Sequence, residues 1–104
     1  MAEEQKQDKK QMQLKISVDD KTAEGVYSNL ALINHTDMEF TLDFLYVQPQ
    51  APKATVRARV ITSPVHMKRL TMALQENIRR YEARHGEIPV KAPQVAPPEG
   101  GEWN

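Results

Sequence analysis

Apolar and polar residues alternate along the first half of the chain, and near residue 63 the alternation gives way to a helical period. Leu14, Ile16 and Val18 alternate with Lys15 and Ser17, which predicts a short strand ending at an Asp19-Asp20-Lys21 turn. Gly25 opens a second run, Val26 to Asn34, in which Val26, Leu30 and Leu32 share a face. After the turn cluster Asn34-His35-Thr36-Asp37, residues Phe40, Leu42, Phe44 and Tyr46 alternate with Thr41, Asp43, Leu45 and Val47. Pro49 and Pro52 end this third strand, and a fourth sets Val56, Ala58 and Val60 against Thr55, Arg57, Arg59 and Ile61. Connections this short predict an antiparallel meander.

The helical segment has clear boundaries. Ser63 is placed to cap it and Pro64 suits the first helical position, where the N–H that proline lacks has no helical partner. Met67, Leu70, Thr71, Leu74, Ile78 and Tyr81 fall on one stripe of an amphipathic helix, with Lys68, Arg69, Glu76, Arg79, Arg80 and Arg84 outside it. Arg84 and His85 complement the helix dipole before Gly86 ends the element. The expected architecture is α+β, a four-stranded antiparallel meander followed by one C-terminal helix (ββββα). The helix is expected to cover the sheet face carrying Ile16, Leu30, Leu32, Phe40, Leu42, Phe44, Val56 and Val60. The domain spans residues 14–86. Residues 1–13 are too polar to offset their ordering entropy and read as a disordered arm. Residues 87–104 hold four of the seven prolines and read as a disordered tail whose single Trp, Trp103, has no assigned role.

One helix covers one sheet face, which leaves the other in need of a partner. Tyr27, Ala31, Ile33, Leu45, Val47 and Ile61 are expected on that second face, and Ala31, Ile33, Leu45, Val47 and Ile61 form the candidate contact surface. A core drawn from residues 14–86 is near the lower size limit for a domain without metal or disulfide, so a homo-oligomer is expected. A bulge that shifts the register would return some of these side chains to the core instead.

Composition narrows the function further. Lys+Arg and Asp+Glu both number 14, and there is no Cys, which argues against a uniformly basic binder and against a disulfide scaffold. The balance is nonetheless divided. Residues 14–52 carry two Lys against six acids, a net of −4, and residues 53–86 carry eight Lys+Arg against Glu76 and Glu82, a net of +6. This opens a second reading, a single-stranded nucleic-acid surface made by Arg57, Arg59, Lys68 and Arg69. Its bland counterpart is a cross-strand ion pair, Asp43 or Asp37 with Arg57 or Arg59. Catalytic and metal chemistry find little support: His35, His66 and His85 are far apart, and neither a Gly-rich phosphate loop nor a GxSxG elbow occurs. The Asp19-Asp20 to Glu24-Gly25 stretch lacks the ligand spacing of a calcium loop. A non-enzymatic protein without metal or cofactor is expected. No run approaches the ~20 apolar residues of a membrane span and no signal-peptide core opens the chain, so the expected location is cytoplasmic.

Several blocks carry a family resemblance: Tyr27-Ser28-Asn29-Leu30 continuing to Asn34-His35-Thr36, then Glu39-Phe40-Thr41-Leu42-Asp43-Phe44, then Ile61-Thr62-Ser63-Pro64-Val65-His66, Leu74-Gln75-Glu76-Asn77-Ile78 and Tyr81-Glu82. Over residues 14–88 the chain resembles an uncharacterised family of short bacterial proteins known as a domain of unknown function, which implies a bacterial cytosolic protein and no particular activity. The strand order is also similar to that of the SecB-type export chaperones, which implies pairing of subunits and binding of unfolded polypeptides on apolar grooves. It is similar as well to the single-stranded nucleic-acid-binding PUR and whirly folds, which would use the Arg57/Arg59 face. Topology alone does not choose between these functions. The leading expectation is an oligomeric protein-binding module, chaperone or adaptor.

Overall fold

The computed structural model describes residues 13–91. Its elements are α1 (Asp20–Glu24), β1 (Leu30–His35), β2 (Phe40–Val47), β3 (Ala54–Thr62) and α2 (Pro64–His85). The three strands form one antiparallel sheet in the order β1-β2-β3, with β2 at its centre. The chain is therefore α+β with a C-terminal helix, as the periodicity predicts. Among the described residues the expected fourth strand is missing.

That strand was expected at Leu14, Ile16 and Val18. The segment forms no element, and the three side chains are 83%, 87% and 61% exposed. Its alternation marks residues suited to a strand, but a strand exists only where another backbone accepts its hydrogen bonds. The turn expected at Asp19-Asp20-Lys21 is instead the start of α1. The Asp19 carboxylate accepts the Thr22 N–H at 2.7 Å, and Gly25, at φ 75°, donates its N–H to the Thr22 carbonyl and ends the helix. Residues 26 and 27 likewise lie outside β1, which begins only at Leu30.

The two hairpins follow their turn chemistry. Thr36 closes the β1–β2 link, its hydroxyl accepting the N–H groups of Met38 (3.1 Å) and Glu39 (3.2 Å) while its own N–H reaches the Glu39 carbonyl. This sets His35 opposite Phe40 and Leu30 opposite Leu45. At the far end of the hairpin the Asn29 side chain clasps Val47, accepting from its N–H (2.8 Å) and donating to its carbonyl (3.1 Å). Between β2 and β3 the register shifts at Phe44/Leu45, since Phe44 faces Ala58 and Leu45 faces Val56, with Arg57 as the extra bulge residue.

Directly opposed residues share a sheet face. One face therefore carries Leu30 and Leu32 from β1, Thr41, Asp43, Leu45 and Val47 from β2, and Val56, Arg59 and Ile61 from β3. The other carries Ala31 and Ile33 with Phe40, Leu42, Phe44 and Tyr46, and with Ala58 and Val60. The face expected to lie under the helix is thus not one face: Leu30, Leu32 and Val56 point away from Phe40, Leu42, Phe44 and Val60.

Helix α2 begins where predicted, with the Ser63 hydroxyl accepting the His66 N–H at 3.1 Å and Pro64 in the first turn, and it ends at Gly86 (φ 98°), whose N–H donates to the Glu82 carbonyl. It does not cover the sheet. No residue of α2 is buried, and the close packing between elements is that of β1 with β2 and β2 with β3. Only Ser63, in extended backbone conformation, separates β3 from α2. The buried apolar side chains are Leu42 and Leu45, one on each face of the central strand.

Candidate interaction surface

The centre of the sheet holds one strong polar feature. Asp43 is fully buried on β2 and faces Arg59 on β3, whose Nε and Nη2 donate to Oδ1 (2.6 Å) and Oδ2 (2.9 Å). This two-point guanidinium–carboxylate pair satisfies both acid oxygens. The hydrogen bond from Arg59 holds the Asp43 carboxyl below its ordinary range against the opposing effect of burial, and the same bond raises Arg59. Of the cross-strand pairs the charge pattern allows, the register selects this one.

The five candidate contact residues divide between the two faces. Ala31 and Ile33 lie with Phe40, Leu42 and Phe44, whereas Leu45, Val47 and Ile61 lie with Asp43 on the opposite side. Leu45 is already buried within the chain, and Val47 is partly so. Ile33 and Ile61 are about half exposed, each on its own face, and are joined by Val60 beside Leu42 and Val56 beside Leu45. The sheet therefore offers apolar contact on both sides. Helix α2 adds a third apolar surface, with Leu74, Ile78 and Tyr81 exposed along the predicted stripe.

The basic candidates separate as well. Arg59 is engaged by Asp43, Arg57 is exposed at the bulge, and Lys68 and Arg69 are exposed in the first two turns of α2. Farther along α2, Glu76 takes Arg79 (2.6 Å) and Arg80 (3.0 Å), and their hydrogen bonds hold its carboxyl below the ordinary value. Glu76 is already counted in the net of +6, so of these pairs it is Arg59 with Asp43, an acid of the other half, that offsets one charge of that excess. The hollow near the end of α2, which includes Asn77, Arg80, Tyr81 and Arg84, is walled by that helix alone and is a corrugation of its side chains.

Two of the three histidines lie beside aromatic rings, and His66 is exposed in the first turn of α2. His35 stacks on Phe40 at 5.2 Å between ring centres, and His85 lies 4.7 Å from Tyr81. Among the described residues no group of three or more His, Cys, Asp or Glu is arranged to hold a metal ion, and no helix is long and apolar enough to cross a membrane. Two features escaped the sequence reading: the Asp19 cap of α1 and the Asn29 clasp on Val47. An Asx residue before a short helix and an Asn bordering a strand were the available signals. Trp103 and the 1–12 part of the expected arm lie outside the described residues, as does the tail beyond residue 91.

An open antiparallel sheet with both faces partly exposed, followed by an amphipathic helix with no buried residue, defines a small α+β protein. The family model described as "Protein of unknown function (DUF3467)" matches residues 1–90, and the chain belongs to that family. No curated protein and no solved structure matches the chain.

Proposed function

We propose that this protein is a non-enzymatic, self-associating binding module that takes up other polypeptides on the apolar side chains of its sheet. The observation that carries this reading is the imbalance of burial. Leu42 and Leu45 are the buried apolar residues, while Ile33, Val56, Val60 and Ile61 on the sheet and Leu74, Ile78 and Tyr81 on the helix remain open. A three-stranded sheet and a helix that share no core do not balance chain entropy alone. A second copy supplies the missing apolar contact, and whichever sheet surface the assembly leaves open is available to an extended apolar segment of a client. The chaperone or adaptor role follows from that surface, with Ile33 and Val60 on one face and Val56 and Ile61 on the other as the contact residues.

The competing reading, a single-stranded nucleic-acid surface, retains Arg57, Lys68 and Arg69, but its fourth residue, Arg59, is held by Asp43. Two measurements decide. Sedimentation of the full chain at micromolar concentration is expected to give a multiple of the protomer mass, and a strictly monomeric mass overturns self-association. Binding of an unfolded polypeptide is expected to change little between low and moderate salt, whereas binding of a single-stranded oligonucleotide that falls steeply with salt and is abolished by Arg57→Glu, with no polypeptide binding, supports the nucleic-acid reading instead.

A further inference from the structure

Resting on the self-association reading above, we propose that residues Leu14–Val18 of one copy add as an extra strand to the outer edge of β1 in a second copy, and that the second copy returns the same strand to the first. The donor is recognisable by what it lacks. Leu14, Ile16 and Val18 alternate with Lys15 and Ser17, are at least 61% exposed, and belong to no sheet. Among the described residues, no backbone hydrogen bond engages residues 14–18. A period-2 apolar segment with its donors and acceptors open is a strand awaiting an edge.

The sheet has two edges, and they differ. β3 carries the protections that discourage pairing, two arginines (Arg57 and Arg59) and a bulge at Arg57. β1, with the sequence Leu-Ala-Leu-Ile-Asn-His, has no charged residue, no proline and an unbroken register with β2. It is the edge built to receive a strand. Its six residues match the five of the donor in length.

The donor does not lie on its own β1. Between them stand the Asp19 cap, α1 and Gly25, a hydrogen-bonded helical turn in place of a tight hairpin. In a two-fold pair each copy holds one such donor and one such edge, so a single symmetric exchange satisfies both. The exchange extends each sheet to four strands, the number that the alternation along the chain predicts, with the first strand supplied by the neighbour.

The absence of cysteine makes the test direct. Full-length Ile16→Cys is refolded with full-length Leu32→Cys, and separately with Ile33→Cys, and the mixtures are oxidised. Neighbouring strands bring backbones within disulfide reach. The expected product is a mixed covalent dimer joining Ile16→Cys to at least one β1 variant, in clear excess over either homodimer. In parallel, Ile16→Pro, placed where the side chain makes no contact that folding of its own chain requires, is expected to shift the sedimenting species toward the protomer. A dimer that survives Ile16→Pro and yields no mixed disulfide overturns the strand exchange while leaving self-association intact. A doubly substituted Ile16→Cys/Ile33→Cys chain that closes only within itself also overturns it. A protein that is monomeric throughout removes both readings.

Discussion

Asp43 occupies a position where an apolar residue would be the ordinary choice, between Thr41 and Leu45 on the central strand and opposite Leu32. Buried carboxylates persist when both oxygens are paired, and Arg59 does this from the neighbouring strand. A buried pair of this kind adds little net stability against an apolar alternative, but it penalises every register that separates the partners. Because the folded state lowers the Asp43 pKa, the unfolded chain binds its proton more readily than the folded one. The contribution of Asp43 is therefore complete above the ordinary carboxyl value of 3.8 and is lost as pH falls through the lower folded value. Asp19 and Glu76 are lowered in the same direction, so the comparison needs a variant. Asp43→Asn is expected to unfold at lower urea than the parent at pH 6, with the gap between the two closing as the pH is taken below 3.8. A gap that is constant with pH would detach the ion pair from acid sensitivity.

At the scale of elements, local chemistry set ends and tertiary pairing set membership. The Ser63-Pro64 start and Gly86 stop of α2 are where their residue types place them, because a cap is satisfied by groups within four residues. Ser63→Ala is expected to cost about 1 kcal/mol, visible as reduced helicity at the start of thermal unfolding. The faces of the sheet were less legible. Alternation was plain in β1 and in β2 taken singly, but which face of one joins which face of the other depends on the four residues between His35 and Phe40. That link pairs odd positions with even ones, so Ala31 and Ile33 join Phe44 and Leu42, and not Leu45 and Val47. One residue more or fewer in the turn would have produced the arrangement expected from the strands alone. The Arg57 bulge belongs to the same class of fact, since the extra residue is seen only against the partner strand.

For the whole molecule the central question is where the apolar surface goes. Of the side chains patterned as core, Leu42 is buried and Leu30, Leu32, Phe40, Phe44, Met67 and Leu70 are half-buried, while Ile16, Val56, Val60, Leu74, Ile78 and Tyr81 are open in the single chain. Burial of one such side chain is worth roughly 1.5–3 kcal/mol, so covering Leu74, Ile78 and Tyr81 together with the exposed sheet positions is comparable to the whole stability of a small domain. Stability drawn from a second copy depends on mass action. The thermal midpoint is therefore expected to rise by several degrees when the protein concentration is raised a hundredfold, measured by circular dichroism. A midpoint independent of concentration would mean that the chain completes its core alone.

The α+β class, the strand character of β1, β2 and β3, the Ser63 and Gly86 ends of α2 and the turn at Thr36 were legible in the sequence, because each rests on interactions among residues close in the chain. The strand count, the sharing of faces, the choice of Arg59 as the partner of Asp43 and the exposure of α2 were decided by tertiary structure. Each of these depends on which distant backbone meets which, and an alternating segment such as Leu14–Val18 specifies the surface it would bury without specifying the neighbour that buries it.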